Sequence, residues 1–411
     1  MKVRYILFFS FISFLSVIEG HACTSMIVSG KASSDGRPFI FKNRDVNNKD
    51  QVIVISKGEK YRYTALTNIT NGTIRLNRLS SGFNETGFAI INTVANNLNG
   101  SKKDVSNNTR ILRRALEICK NLKDFERLLD TLPKPMHIDS NYGVMDAQGG
   151  IAYYEAGNKG YVKYDANDPK IAPDGYLIRT NFGFSGNKRY GAGYERYTAM
   201  EMFIDGIKRD GKIQFEDVIR GATRFLTHGE TKVNLYNYEP ESGGLPLFVD
   251  FEDFIPRRVT MSAQLIQGIK DEEDPLETTA WTMCGFPITT VCIPIWLTQK
   301  GQLPTIVSRN NDGHSLICDA GLELKKRLFP NNKMRKKNDI NIAQLINKSG
   351  TGILQRIKPI EDEVFRRASD VQASIRKEGT KTRRVSDFYS WVDQYVETEY
   401  KKQFGLTTFH K

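Results

Sequence analysis

The residue with most to offer chemically is Cys23. It follows Glu19-Gly20-His21-Ala22, which puts small residues at the two positions a signal peptidase inspects if it cuts after Ala22. Lys2 and Arg4 precede an apolar run from Ile6 to Ile18, well short of the roughly 20 residues that span hydrocarbon. Residues 1–22 therefore read as a secretory signal rather than a membrane anchor. A lipid-modified Cys23 fits less well, because Gly20 stands where a large apolar residue is usual. Removal of the signal leaves Cys23 as the first residue of the mature chain, carrying a free α-amine. A thiol ionises near about 8.5 and an α-amine near about 7.7–8.0, so such a residue contains its own base at neutral pH. The amine takes the thiol proton, directly or through a water, and later returns it to a leaving nitrogen. It needs a carboxylate to hold it and donors for the developing oxyanion.

The elements around Cys23 suit that requirement. Thr24–Val28 alternates as a strand with Met26 and Val28 on one face, Ser33-Ser34-Asp35-Gly36 is a turn, and 38–42 is a second strand. This hairpin delivers Asp45 close to Cys23. Further strands are expected over 51–56, 61–66, 87–93, 143–146, 151–155, 176–180, 259–265 and 280–296, the last broken by Gly285 and Pro287. Helical spacing of Leu112, Leu116, Cys119, Leu122, Phe125 and Leu128 predicts one helix from Arg110 to Leu132, with Thr109 as its cap. Other helices are expected over 194–205, 215–226, 362–376 and 386–402. Early strands, a helical middle, more strands and terminal helices suit stacked sheets flanked by helices.

Other chemistries lack their signatures. The chain has 411 residues, 26% of them charged and 39% hydrophobic, with a net charge of +12; it has apolar material for a large core, and net charge alone implies no nucleic-acid partner. There is no phosphate-binding glycine loop and no HExxH or other metal spacing, so neither a cofactor nor a metal is expected. Beyond Cys23 the cysteines are Cys119, Cys284, Cys292 and Cys318; an export compartment permits a Cys284–Cys292 disulfide, and two buried thiols are an equal reading. The basic residues between Asp319 and Asn341 read as a solvated surface. Sequons stand at Asn68, Asn71, Asn84, Asn107 and Asn347.

Cys23-Thr24-Ser25-Met26 followed by Lys42-Asn43-Arg44-Asp45 resembles the N-terminal-nucleophile hydrolases of the choloylglycine hydrolase and penicillin V acylase superfamily, whose relatives include acyl-CoA:6-aminopenicillanate acyltransferases. Further matches follow in family order: Gly82 to Ala89 leading to Ile91-Asn92-Thr93, Asn141 to Asp146 with Glu155, Thr180-Asn181-Phe182, and Glu195-Arg196-Tyr197. The resemblance implies an α+β fold, a four-layer αββα sandwich of two antiparallel sheets, formed by residues 23–411 as a single domain with a helical region near 360–405. It also implies that Asp45 holds the α-amine, that Asn92 and Asn181 serve the oxyanion and acyl group, and that Arg196 supports the nucleophile, with Arg189 as its rival. Ser185 has no clear family role. Lys42 stands where bile-salt hydrolases carry arginine, which puts bile-acid specificity in doubt; Phe83 and Phe182 are candidates for the acyl pocket, or for core.

The expectation is thus an exported hydrolase of a small-molecule acyl amide, periplasmic or extracellular, or in a lysosome-like compartment of a eukaryote. It has no transmembrane anchor and no nucleic-acid partner, while an oligomer stays open. Acyl transfer and dipeptide hydrolysis are alternatives within the same chemistry; a non-catalytic exported binding protein is the alternative of another class.

Overall fold

The computed structural model describes residues 22–99, 105–241, 243, 245–298, 300–331, 335–378 and 383–406; the signal expected over 1–22 lies, but for Ala22, outside them. The chain opens with β1 (Cys23–Val28), β2 (Phe39–Asp45), β3 (Gln51–Lys57), β4 (Arg62–Thr70), the short β5 (Thr73–Ile74), β6 (Ser81–Asn84) and β7 (Ala89–Val94). Two helices follow, α1 (Arg110–Ile118) and α2 (Leu122–Asp130), then β8 (Ser140–Met145), β9 (Ile151–Ala156), β10 (Tyr161–Asp165) and β11 (Tyr176–Arg179). Next come α3 (Tyr194–Ile207), α4 (Phe215–Gly221), β12 (Phe248–Asp250), β13 (Thr260–Gln267), β14 (Thr279–Cys284) and β15 (Ile293–Trp296). The chain closes with α5 (Leu316–Leu328), β16 (Asp339–Asn341), α6 (Ile342–Leu345), α7 (Ile353–Glu378) and α8 (Arg383–Phe404).

Two antiparallel sheets carry the architecture. The first has the order β11-β1-β2-β13-β14-β15, the second β10-β9-β8-β7-β6-β4-β3 with β5 added to β4. The expected hairpin is present, with Cys23 opposite Arg44 and Ser25 opposite Lys42. Strand alternation then decides what Cys23 faces. Ser25 meets Thr93 of the second sheet at 2.7 Å and accepts the Tyr153 hydroxyl, so Cys23, Ser25 and Ile27 point between the sheets. Thr24 points the other way, to α3, where it meets Arg196. Gly143 allows the sheets to close: a Cβ there would lie 2.9 Å from Ile91 and 3.0 Å from Ile27.

Helices α1 and α2 cover the outer face of the second sheet through Leu112, Leu116, Phe125 and Leu129 against Val52, Tyr63 and Ile90. On the outer face of the first sheet, Phe215 of α4 and Phe365 of α7 pack on Trp281. The result is the four-layer αββα sandwich.

Several boundaries differ from the sequence expectation for local reasons. The single helix expected over 110–132 is two, because the Asn121 side chain accepts the Asp124 N–H at 2.9 Å and starts α2 afresh. Thr109 does not cap α1; its hydroxyl donates to Asn77 O instead. The helix expected over 215–226 ends as α-helix at Gly221 and tightens to a 3-10 turn through Arg224. Helix α7 begins well before 362 and includes Pro359, a residue whose missing N–H normally argues against a helix interior. All five cysteines are buried and unpaired, so Cys284 and Cys292 are thiols. Lys325, expected in a solvated basic surface, is buried and donates to Thr260 O at 3.0 Å. Among the sequons, Asn68, Asn84 and Asn347 are buried. No described helix is long and apolar enough to cross a membrane.

The outer helical layer is pinned by one buried charge. Glu361 of α7 is fully buried and receives Arg224 at 2.6 and 2.9 Å, Arg220 at 3.0 Å and the Cys292 N–H at 2.9 Å. These guanidinium groups hold its carboxyl below the usual range against the opposing effect of burial. Removing one partner of such a set strands the other charge in a dry interior, at a cost of about 3–5 kcal/mol. Glu361→Ala is expected to lower unfolding free energy by that amount, read from the urea midpoint at neutral pH; a loss below about 1 kcal/mol would contradict this role.

Candidate functional site

Cys23 is held at both polar atoms of its own backbone. Its N–H donates to Asn181 Oδ1 at 3.0 Å, and its carbonyl accepts Arg196 Nη1 at 2.7 Å. The two holding groups are joined, because Arg196 Nη2 donates to the same Asn181 oxygen at 2.7 Å. A further bond from Arg196 Nη1 reaches Thr24 Oγ1 at 3.1 Å. Arg196 is 1% exposed and sits in the first turn of α3. Gly193, just before that helix, has φ +77°, and a Cβ there would collide with the Arg196 guanidinium, so this position needs glycine for both shape and space. The rival Arg189 is exposed. The Asn181 amide nitrogen donates to Val94 O of the second sheet at 2.8 Å, tying the clamp across the sandwich.

Asp45 ends β2 beside the start of β1. Its Oδ1 accepts the Thr260 hydroxyl at 2.6 Å, and its backbone N–H donates to Ala22 O at 2.9 Å, the carbonyl of the peptide bond to Cys23. Among the described residues, Asp45 Oδ2 is buried with no hydrogen-bond partner, and its nearest cation is Arg257, 3.7 Å away. Burial pushes this carboxyl up, opposed by Arg257 and Arg196. Ala22, Asp45, Asn181, Arg196 and Arg257 line one cavity of about 410 Å³.

Cys23 itself lines a different cavity, of about 320 Å³, with Lys42, Arg44, Arg78 and Asn92. Lys42 donates to Asn92 Oδ1 at 3.0 Å and to Ser80 O at 3.2 Å. Because the Asn92 oxygen is taken by a cation, its NH2 group is turned elsewhere, with one long contact of 3.4 Å to Ser140. Arg44 reaches Gln51 at 2.5 Å and Asn68 at 2.8 Å.

The structure thus joins Cys23, Asn181 and Arg196 by hydrogen bonds, places Asp45 on one cavity wall with Asn181 and Arg196, and puts Lys42 and Asn92 with Cys23 on another cavity. Phe83 and Phe182 do not line that cavity: Phe83 is fully buried in the core, and Phe182 packs on Tyr194, Tyr197 and Phe184. Glu155 binds Arg179 at 2.8 Å and accepts the backbone of Phe184 and Ser185 and the Ser185 hydroxyl, which shapes the loop after Asn181. The sequence reading missed Thr24, Thr260, Arg257 and Arg44. Thr24 and Arg44 lay inside quoted motifs, whereas nothing in the order of residues links Thr260 and Arg257 to Asp45.

The chain is matched over residues 32–188 by the family described as Acyl-coenzyme A:6-aminopenicillanic acid acyl-transferase. Among solved structures, it is similar to conjugated bile acid hydrolase from Clostridium perfringens, as an arginine-to-leucine variant, at 12% identity, over 67% of this chain and 92% of that one, with a TM-score of 0.39. The cysteine-to-alanine mutant of that hydrolase gives 11%, 67%, 92% and 0.37. Penicillin V acylase from Agrobacterium tumefaciens gives 12% identity, 67% and 87% coverage and a TM-score of 0.34. No curated protein matches the chain.

Burial pulls the Lys42 ammonium down to about 8, with Arg44 pulling the same way and Cys23 and Asp45 opposing. The unfolded chain therefore binds more protons than the folded one between about pH 8 and 10.5, and burying Lys42 costs folding less as pH rises through that window. Relative to Lys42→Met, the native protein is expected to gain roughly 2–4 kcal/mol between pH 7 and pH 10, measured as the difference between two urea-unfolding series. Parallel series would contradict a charged, desolvated Lys42.

Proposed function

We propose that the chain, cut after Ala22 and exported, is a hydrolase of linear carbon–nitrogen amide bonds that uses the Cys23 thiol as nucleophile and the Cys23 α-amine as base. The observation that carries this reading is the clamp on Cys23: Asn181 on its nitrogen, and Arg196 on its carbonyl and on Asn181. A thiol on an ordinary core strand has no need of a buried guanidinium spent on its backbone. Removal of residues 1–22 would open the space lined by Ala22 and Asp45 and free the Cys23 amine, whose holding carboxylate in this proposal is Asp45, with an Oδ2 that lacks a hydrogen bond among the described residues.

The amine takes the thiol proton, and the thiolate adds to the substrate carbonyl as its π electrons move to oxygen. The Asn92 NH2 group, held by Lys42 through its oxygen, stabilises that oxyanion. Collapse breaks the C–N bond while the α-ammonium returns its proton to the leaving nitrogen. Water, deprotonated by the amine, then attacks the thioester, and the thiolate leaves and is reprotonated. Asn181 and Arg196 keep the nucleophile in place, and Asn181 keeps the acyl-group contact that its motif implies. Because the matched family description names an acyl-transferase, capture of the thioester by an amine instead of water is the second reading, tested by product analysis with and without an acceptor amine.

A protein beginning at Cys23, offered a panel of N-acyl amines, is expected to release the free amine. Cys23→Ala should retain the far-ultraviolet dichroism of the parent and lose turnover by at least about 10³-fold. Undiminished turnover in this variant would remove Cys23 from the reaction.

A further inference from the structure

The cavity over Cys23 is not built like a pocket for an apolar acyl chain. Lys42, Arg44, Arg78 and Arg110 all stand on its wall, and Asp45, the single lining carboxylate among the described residues, is turned toward Thr260 and Arg257. Lys42 and Arg44 are nine-tenths buried, yet their hydrogen bonds go to neutral oxygens of Ser80, Asn92, Gln51 and Asn68. Neither they nor Arg78 and Arg110 form an ion pair with any described residue. Elsewhere Arg179 and Arg224 are buried with a carboxylate each, Glu155 and Glu361. Clustering desolvated like charges is costly unless an opposite charge arrives, and Arg78 lies near enough to Arg44 to oppose its charge.

We propose that the substrate presents an anionic group, of carboxylate type, to the Lys42–Arg44–Arg78 wall. This rests on the amide-hydrolase reading above and narrows its substrate class to small, negatively charged acyl amides; a cavity of about 320 Å³ is at the small end of the range for ligand sites, roughly 300–1,000 Å³. The charge sits either on the far end of the acyl half or on the leaving amine, since both halves of the amide meet Cys23. A guanidinium fork on the rim suits a carboxylate, which it can bind through two parallel N–H donors.

Two matched substrate pairs test this on the protein beginning at Cys23. One compares a glutaryl amide of a chromogenic amine with its uncharged glutaramoyl counterpart; the other compares an N-butyryl amino acid with its neutral carboxamide. In at least one pair, the acid is expected to have a kcat/KM about 10- to 100-fold higher, the span of a charge-assisted hydrogen bond, and the pair showing it locates the charge. Arg78→Gln should shrink that ratio and Arg78→Glu should reverse it. Equal rates within both pairs, or an Arg78 variant that slows acid and neutral substrates alike, would overturn the proposal while leaving the hydrolase intact. If the whole panel goes unhydrolysed, the hydrolase reading is what fails. Calorimetric titration of Cys23→Ala with glutarate and with butyryl-glycine then decides the anion site: saturable binding of either one, lost in the double variant with Arg78→Glu, supports it, and no binding of both refutes it.

Discussion

A single buried guanidinium sets the conditions for everything else at this site. Arg196 reaches the Cys23 carbonyl, the Thr24 hydroxyl and the Asn181 oxygen that accepts the Cys23 N–H. Among the described residues it has no ion-pair partner in direct contact, and burial lowers its affinity for the proton, with Asp45 opposing; its hydrogen bonds go instead to the Cys23 carbonyl and to the two side chains beside it. That choice constrains its surroundings. Gly193 must lack a side chain, α3 must begin where it does, and the strand carrying Asn181 must be tied to Val94 across the sandwich.

The sandwich explains why a cysteine at a strand end can be both ordered and reachable. Antiparallel pairing with β2 fixes the Cys23 register opposite Arg44, and alternation turns the thiol inward while Thr24 faces the helix that carries Arg196. The interior at this end is polar by construction, with Ser25, Thr93, Tyr153, Lys42 and Asn92 joined by hydrogen bonds. Further along the same strands, Ile27, Ile91 and Gly143 close the sheets tightly. Polar groups at one end and close packing along the strands let a small cavity persist without loosening the core.

Much of this was legible in the residue order, because it is local. The hairpin, the alternating strands and the terminal helices follow from period-2 and period-3.6 patterns, and Asp45 falls near Cys23 simply because a hairpin brings residues at its open end together. The failures are those where a distant or polar group overrides periodicity. Asn121 splits a helix that the apolar spacing would continue, and Pro359 hid the first turns of α7. Lys325 is buried although it stands in a basic run. Thr260 and Arg257 reach Asp45 from more than two hundred positions away. Phe83 and Phe182 looked equally suited to pocket and core, and aromatic residues beside a motif carry no mark that distinguishes the two. The cationic wall was invisible for the same reason: Lys42 and Arg44 share a motif, but Arg78 and Arg110 join them only through the fold.

The proposed chemistry requires the thiol and a free amine to belong to the same residue, clamped from both sides. The most direct measurement is intact-protein mass spectrometry after brief exposure to a substrate, comparing protein that begins at Cys23 with protein that retains Ala22. An acyl adduct on Cys23 should accumulate and turn over in the first and be absent in the second. Equal acylation and turnover of the form that keeps Ala22 would contradict the account at its root.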